Sequence, residues 1–230
     1  LYVIPIEKGL TIAHFIDAGV DWVWETFFYS LNSFNKFLLT QVLGPMKQAY
    51  LGMPVIATFT LAMGAAFIVG NIRTALIVGG MLLFIALSEY WDRALITMYM
   101  GSFAVIMASL NGIVLGSLFG RTERGGRILL SFCDFFETFP SFVYLIPVVM
   151  LLGIGKVPGL IAVCIYAVPP IVRLTNLGIR LVDEEVLEAA DAFCANYKQR
   201  LWGVQIPLAL PNIFAGVNQT IMMALAMVVT

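Results

Sequence analysis

From Ala94 to Phe119 the chain carries no Asp, Glu, Lys, Arg or His. At ~1.5 Å per residue such a run reaches ~39 Å, more than the ~30 Å hydrocarbon core of a bilayer. Met53–Gly70, Thr74–Ser88, Pro140–Leu152, Leu160–Val172 and Pro207–Thr230 are likewise free of charge, and the charged residues gather between them. The apolar residues come in blocks and do not alternate, which argues for helices. Inside lipid a helix satisfies every backbone group within its own segment. The expected fold is therefore all-α and polytopic, with about six spans in residues 51–230. Composition agrees: 60% of the 230 residues are hydrophobic and 12% charged, where soluble domains carry about 25% charge. The mean hydropathy is +0.93.

Several functions are disfavoured by the same inventory. A net charge of −1 with no basic tract argues against a nucleic-acid partner. Cys133, Cys164 and Cys194 lie about thirty residues apart, which is no metal or redox spacing. His14 stands alone, so no metal site is expected. Neither is a cofactor, because the chain has no Gly-x-x-x-x-Gly-Lys-Ser/Thr phosphate loop. An enzyme would need a His/Asp/Glu cluster and a secondary transporter would need ionisable residues within the membrane. The apolar runs up to Val172 hold neither.

Residues 1–50 differ from the rest. Positions 1–19 read as a polar, irregular tail. Glu7, Lys8, His14 and Asp17 interrupt its apolar stretch, so it does not read as a cleavable signal peptide. Over 20–40, Val20, Trp24, Phe27, Phe28, Leu31, Phe34 and Leu38 share one helical face, and Asp21, Glu25, Asn32, Ser33 and Lys36 share the other. This is the pattern of an amphipathic helix lying in the membrane interface. If six spans alternate, Arg73, Arg121, Arg124, Arg127, Arg173, Arg180, Lys198 and Arg200 fall on one side, against Arg93 and Lys156 on the other. The excess of basic residues puts 120–139 and 174–206 in the cytoplasm and the N-terminus outside. The chain opens at Leu1 and ends within an apolar run at Thr230, so at least one further span is expected beyond it.

The long cytoplasmic segment 183–206 carries the most information. Asp183 is placed to cap a helix whose first turn holds Glu184 and Glu185. Val186, Ala190 and Phe193 make a stripe at i, i+4, i+7. Ala195-Asn196 offers a turn, and Pro207 opens the next span. A compact hairpin results. On residues alone it is either a docking element or an ordinary connection.

The hairpin resembles the coupling loop of ABC importer permeases, marked by Glu-Ala-Ala, three residues, Gly, nine residues, Ile, one residue and Leu-Pro. This chain has Glu188-Ala189-Ala190, Cys194, Val204 and Ile206-Pro207 at that spacing. Cys194 replaces the glycine, whose left-handed conformation is cheap. The expectation is that Asn196 assumes that role or that the hairpin bends differently. The stretches Phe139–Gly155, Pro169–Arg180 and Ala215–Leu225 are similar to the permeases of glycine betaine/proline betaine importers. The resemblance implies the type I importer permease fold, without an enzymatic activity of its own. It also implies a homodimer in the bacterial inner membrane, a cytoplasmic ATPase docked on each copy and an external substrate-binding protein. The implied cargo is a quaternary ammonium osmolyte. Competing readings are an ABC permease for another solute, a secondary transporter or a membrane scaffold. For the path itself the candidates are Asn218 and Gln219, ~16–18 Å up the last span from Pro207, and Asn111, the most central polar residue of the third span. Each is either a helix–helix hydrogen-bonding group or a lining residue.

Overall fold

A computed structural model describes residues 6–120, 122–140 and 142–229, with no strand among them. Helix α1 (Ile6–Phe37) passes through a π-helical segment (Leu38–Leu43) into α2 (Gly44–Leu51). The chain continues as α3 (Val55–Val69), α4 (Ile72–Leu87), α5 (Trp91–Phe119), α6 (Glu123–Thr138), α7 (Phe142–Leu152) and α8 (Lys156–Arg180). After α9 (Glu184–Ala192) and α10 (Tyr197–Arg200), a second π segment (Leu201–Gln205) leads into α11 (Ile206–Val229).

The breaks follow local chemistry. Asn71 caps α4 by accepting from the backbone N–H of Arg73 and Thr74 at 3.0 and 3.2 Å. Thr122 caps α6 through the N–H of Gly125 at 3.1 Å. Both π segments lie just before a proline, Pro45 and Pro207. A proline ring crowds the carbonyl four residues back and offers it no N–H. The helix widens there, and the N–H groups of Gly44 and Ile206 reach the carbonyls of Leu39 and Leu201, five residues back.

Several expectations need correction. The stretch expected to be an irregular tail is helical from Ile6 onward, since no proline interrupts it and isolated glycines only weaken a helix; residues 1–5 lie outside the described residues. Of the six expected spans, α5, α8 and the continuous α10–α11 rod are long and apolar enough to cross alone. Two bent pairs also qualify when joined: Glu25–Leu51 with α3 at 91°, and α6 with α7 at 92°. Helix α4, at 16 residues, is shorter than a single crossing requires. The charged stretch after the third expected span forms the amphipathic helix α6, Glu123–Thr138. The span expected to stop at Val172 continues to Arg180, since arginine favours a helix and Arg173 meets Asp134 and Glu137 on α6. Arg121 lies outside the described residues.

The core is α8 sandwiched against α5 and α11. Along α5 and its C-cap, Ala104, Ala108, Gly112, Gly116 and Gly120 recur every fourth residue and are buried, the small-residue spacing that lets membrane helices approach closely. A Cβ on Gly112 would lie 2.1 Å from Cγ2 of Ile171, and one on Gly216 of α11 would lie 2.9 Å from Cδ1 of the same residue. Ile171, fully buried, is the side chain these absences accommodate.

Helix α1 rests on the end of α7, where Asn35 Nδ2 donates to the carbonyl of Leu152 at 3.3 Å. The face it turns inward, Phe28, Leu31, Asn32 and Asn35, cuts across the expected division. Asn32 is half-buried, while Phe27 and Phe34 are exposed. The side chains of Val20, Asp21 and Trp24 lie outside the described set.

Candidate coupling hairpin and path residues

The hairpin folds from its own local signals. Asp183 Oδ1 accepts from the N–H of Glu185 at 3.0 Å and starts α9. Asn196 and Gln199 form a reciprocal capping box at 3.0 and 2.8 Å and start α10. Arg200 clasps Asp191 at 2.9 Å across the turn. At the base, Leu201 is buried in a cluster with Ile171, Ile179, Ala209 and Ile213, tying the hairpin to α8 and α11.

The turn itself corrects the expectation for Cys194. Asn196 has an extended backbone and is a cap; Cys194 takes the left-handed conformation at φ +53°. The N–H of Ala195 bonds the carbonyl of Ala190 at 3.1 Å, and that of Cys194 bonds Asp191 at 2.9 Å. This paired closure is the usual helix stop built on glycine, and its hydrogen bonds hold the cysteine in an unfavourable region. Replacing Cys194 by Gly is expected to stabilise the protein by about 1 kcal/mol, read as a higher unfolding temperature in detergent.

The predicted hairpin residues divide into two groups. Glu188 and Ala189 are exposed midway along α9 and Cys194 is exposed in the turn, with Ala190 half-buried. Val204 and Ile206 are half-buried at the base, and Pro207 is exposed. The stripe Val186/Ala190/Phe193 does not pack on the bundle: Phe193 is 88% exposed and Val186 is exposed too. Between the hairpin and the α5–α6 turn lies a cleft of about 320 Å³ bordered by Glu123, Arg180, Glu184 and Arg200.

The path candidates are not gathered into one site. Ala209, Ile213, Gly216, Thr220 and Ala224 are the buried face of α11, which leaves Asn218 and Gln219 on its exposed side. Asn111 is exposed as well and donates to the carbonyl of Met107, one turn back, at 2.8 Å. None of the three makes a hydrogen bond to another helix among the described residues. The buried polar side chains among the described residues are Ser117, Thr175, Asn176 and Thr220, which sequence reasoning missed. Asn176, only 1% exposed, lies in a stretch assigned to the cytoplasm once Arg173 was taken as a span boundary. Among the described residues no group of three or more His, Cys, Asp or Glu is arranged to hold a metal.

The family described as binding-protein-dependent transport system inner membrane component matches residues 112–230. The trimethylamine N-oxide transport system permease protein TmoV of Pelagibacter ubique is 47% identical over the whole of this chain and 32% of its own length. The glycine betaine/proline betaine transport system permease protein ProW of Escherichia coli is 39% identical over 98% of this chain and 64% of its own. The glycine betaine transport system permease protein OpuAB of Bacillus subtilis is 36% identical over 96% of this chain and 78% of its own. The chain thus spans about a third of the first relative and just under two thirds of the second.

Proposed function

We propose, from the premise that this chain belongs to the family of binding-protein-dependent transport system inner membrane components, that it is the membrane permease of an ATP-driven importer. Its cargo is a small methylated osmolyte: glycine betaine, proline betaine or trimethylamine N-oxide. The observation that carries this reading is the hairpin. It is anchored at its base between α8 and α11, with Glu188 and Ala189 exposed along α9. An element anchored at its base and bare along its first helix suits a partner that pushes on it. That partner is a cytoplasmic ATPase, because the chain lacks a phosphate-binding loop. A substrate-binding protein on the outer face delivers the solute, and a second copy of the permease completes the passage within the lipid of the inner membrane. The hairpin, which follows Arg173 and Arg180 and carries Lys198 and Arg200, lies in the cytoplasm.

The test is uptake of labelled betaine, trimethylamine N-oxide, choline, carnitine and proline in a transporter-deficient strain supplied with the ATPase and binding protein. Uptake of a methylated osmolyte is expected; uptake of none of them, with ATP being hydrolysed, overturns the substrate class. The same assay addresses the path. Asn218 and Gln219 present neutral amide dipoles on the exposed side of α11, which offer a cation weak, reversible contact. Changing either to Leu is expected to leave the unfolding temperature of the chain unchanged. At the lining position uptake falls several-fold, while ATPase stimulation persists. Full uptake by both variants removes the pair from the path.

A further inference from the structure

Arg173 and Arg180 lie on one face of α8, about two helical turns apart, and both reach the same neighbour. Arg180 Nη2 donates to the backbone carbonyl of Thr122, the cap of α6, at 3.1 Å. It fits there because Gly126 has no side chain: a Cβ at that position would lie 2.6 Å from the guanidinium nitrogen. At the other end of α6, Arg173 Nη2 contacts Asp134 at 2.6 Å and Glu137 at 2.9 Å. The two carboxylates sit at i, i+3 and so share a face. Helix α6 is therefore held to α8 near both of its ends. Past its C-terminus the chain turns by 92° into α7, and the Tyr144 hydroxyl donates across that bend to the carbonyl of Phe136. The C-terminal end of α8, which carries Arg180, leads directly into the hairpin.

We propose that Arg173 and Arg180 are positioning residues that fasten α6 to α8. Displacement of the hairpin then carries α6 as part of the same body and moves the α6–α7 bend, with its exposed Phe135 and Phe139 rings. This rests on the importer reading given above. A single guanidinium holding two carboxylates is a directional clamp. One bonded contact at each end of α6 prevents it from rotating about the other, which a single contact would allow.

Spin labels at Ser131 on α6 and Lys198 on the hairpin, both exposed, test it in the assembled transporter. Cys133→Ala, Cys164→Ala and Cys194→Gly serve as the background. The distance between the labels is expected to be the same without nucleotide and with ATP bound. With Arg173→Ala and Arg180→Ala together, it is expected to shift or broaden on ATP binding. Arg173→Glu is expected to lower solute moved per ATP by on the order of tenfold or more. Adding Asp134→Arg, which restores one guanidinium between two carboxylates, should recover most of it. If Arg173→Glu does not assemble, Arg173→Gln gives the same readout without added charge. A purely structural role would reduce the amount of folded complex and leave solute per ATP unchanged, which overturns the proposal. So does a label distance that changes with nucleotide in the background protein. If the ATPase does not bind the chain at all, the importer reading falls, and this inference with it.

Discussion

Changing Glu188 to Lys is expected to lower transport by about two orders of magnitude while the permease stays folded and inserted. Glu188 is exposed on α9 beside Ala189, and it makes no hydrogen bond or ion pair within the chain among the described residues. The bonds that hold the hairpin, those of Asp183, Asp191, Asn196, Gln199 and Arg200, do not involve it. Reversing its charge therefore leaves the hairpin intact and acts on whatever α9 meets. A buried charge that loses its partner costs about 2–5 kcal/mol at an interface. Folded yield, ATPase stimulation and solute uptake in proteoliposomes separate the outcomes. Normal uptake with normal stimulation would remove Glu188 from the contact; a loss of folded protein would make it a structural residue.

Gly116→Val is expected to have the largest effect on stability. A Cβ there would lie 2.8 Å from the Cβ of Thr175 and 2.8 Å from the backbone carbonyl oxygen of Val172. The backbone cannot swing aside as a long side chain can, so α5 and α8 must separate. Separation weakens the contacts of Ala104, Ala108, Gly112 and Gly120 on the same face. Overpacking of this kind costs about 3 kcal/mol or more, read as a lower unfolding temperature and little folded protein in detergent. Gly64→Ala and Gly80→Ala are the controls, since a Cβ at either meets nothing within 4 Å. An unchanged unfolding temperature for Gly116→Val would contradict the close α5–α8 approach.

The hairpin was legible because its signals are short-range. The cap at Asp183 acts within two residues along the chain. The box of Asn196 and Gln199 is as local, but residue preference alone marks Asn196 as a turn. Cys194 shows the limit of such reasoning. A rule of residue preference assigns the left-handed turn to glycine or asparagine. Here the bonds closing α9 demand that conformation at position 194 whatever stands there. The apolar stripe on α9 was also legible, but not its direction. Periodicity states that Val186, Ala190 and Phe193 share a face and is silent on whether the bundle or a partner covers it.

By itself the sequence determined the membrane class, the predominantly helical backbone, the cap at Asp183 and the hairpin. Each depends on hydrophobicity over one run of residues or on hydrogen bonds within one or two turns. Only the tertiary structure decided which crossings are straight and which are bent, since composition measures the length of an apolar run and not its direction. It also decided the role of Arg173. Read along the chain, a guanidinium after an apolar run marks the end of a span. In the folded molecule α8 runs on to Arg180, and Arg173 meets Asp134, 39 residues away, and Glu137, 36 away. Such partners are supplied by packing between helices, which a reading along the chain does not show.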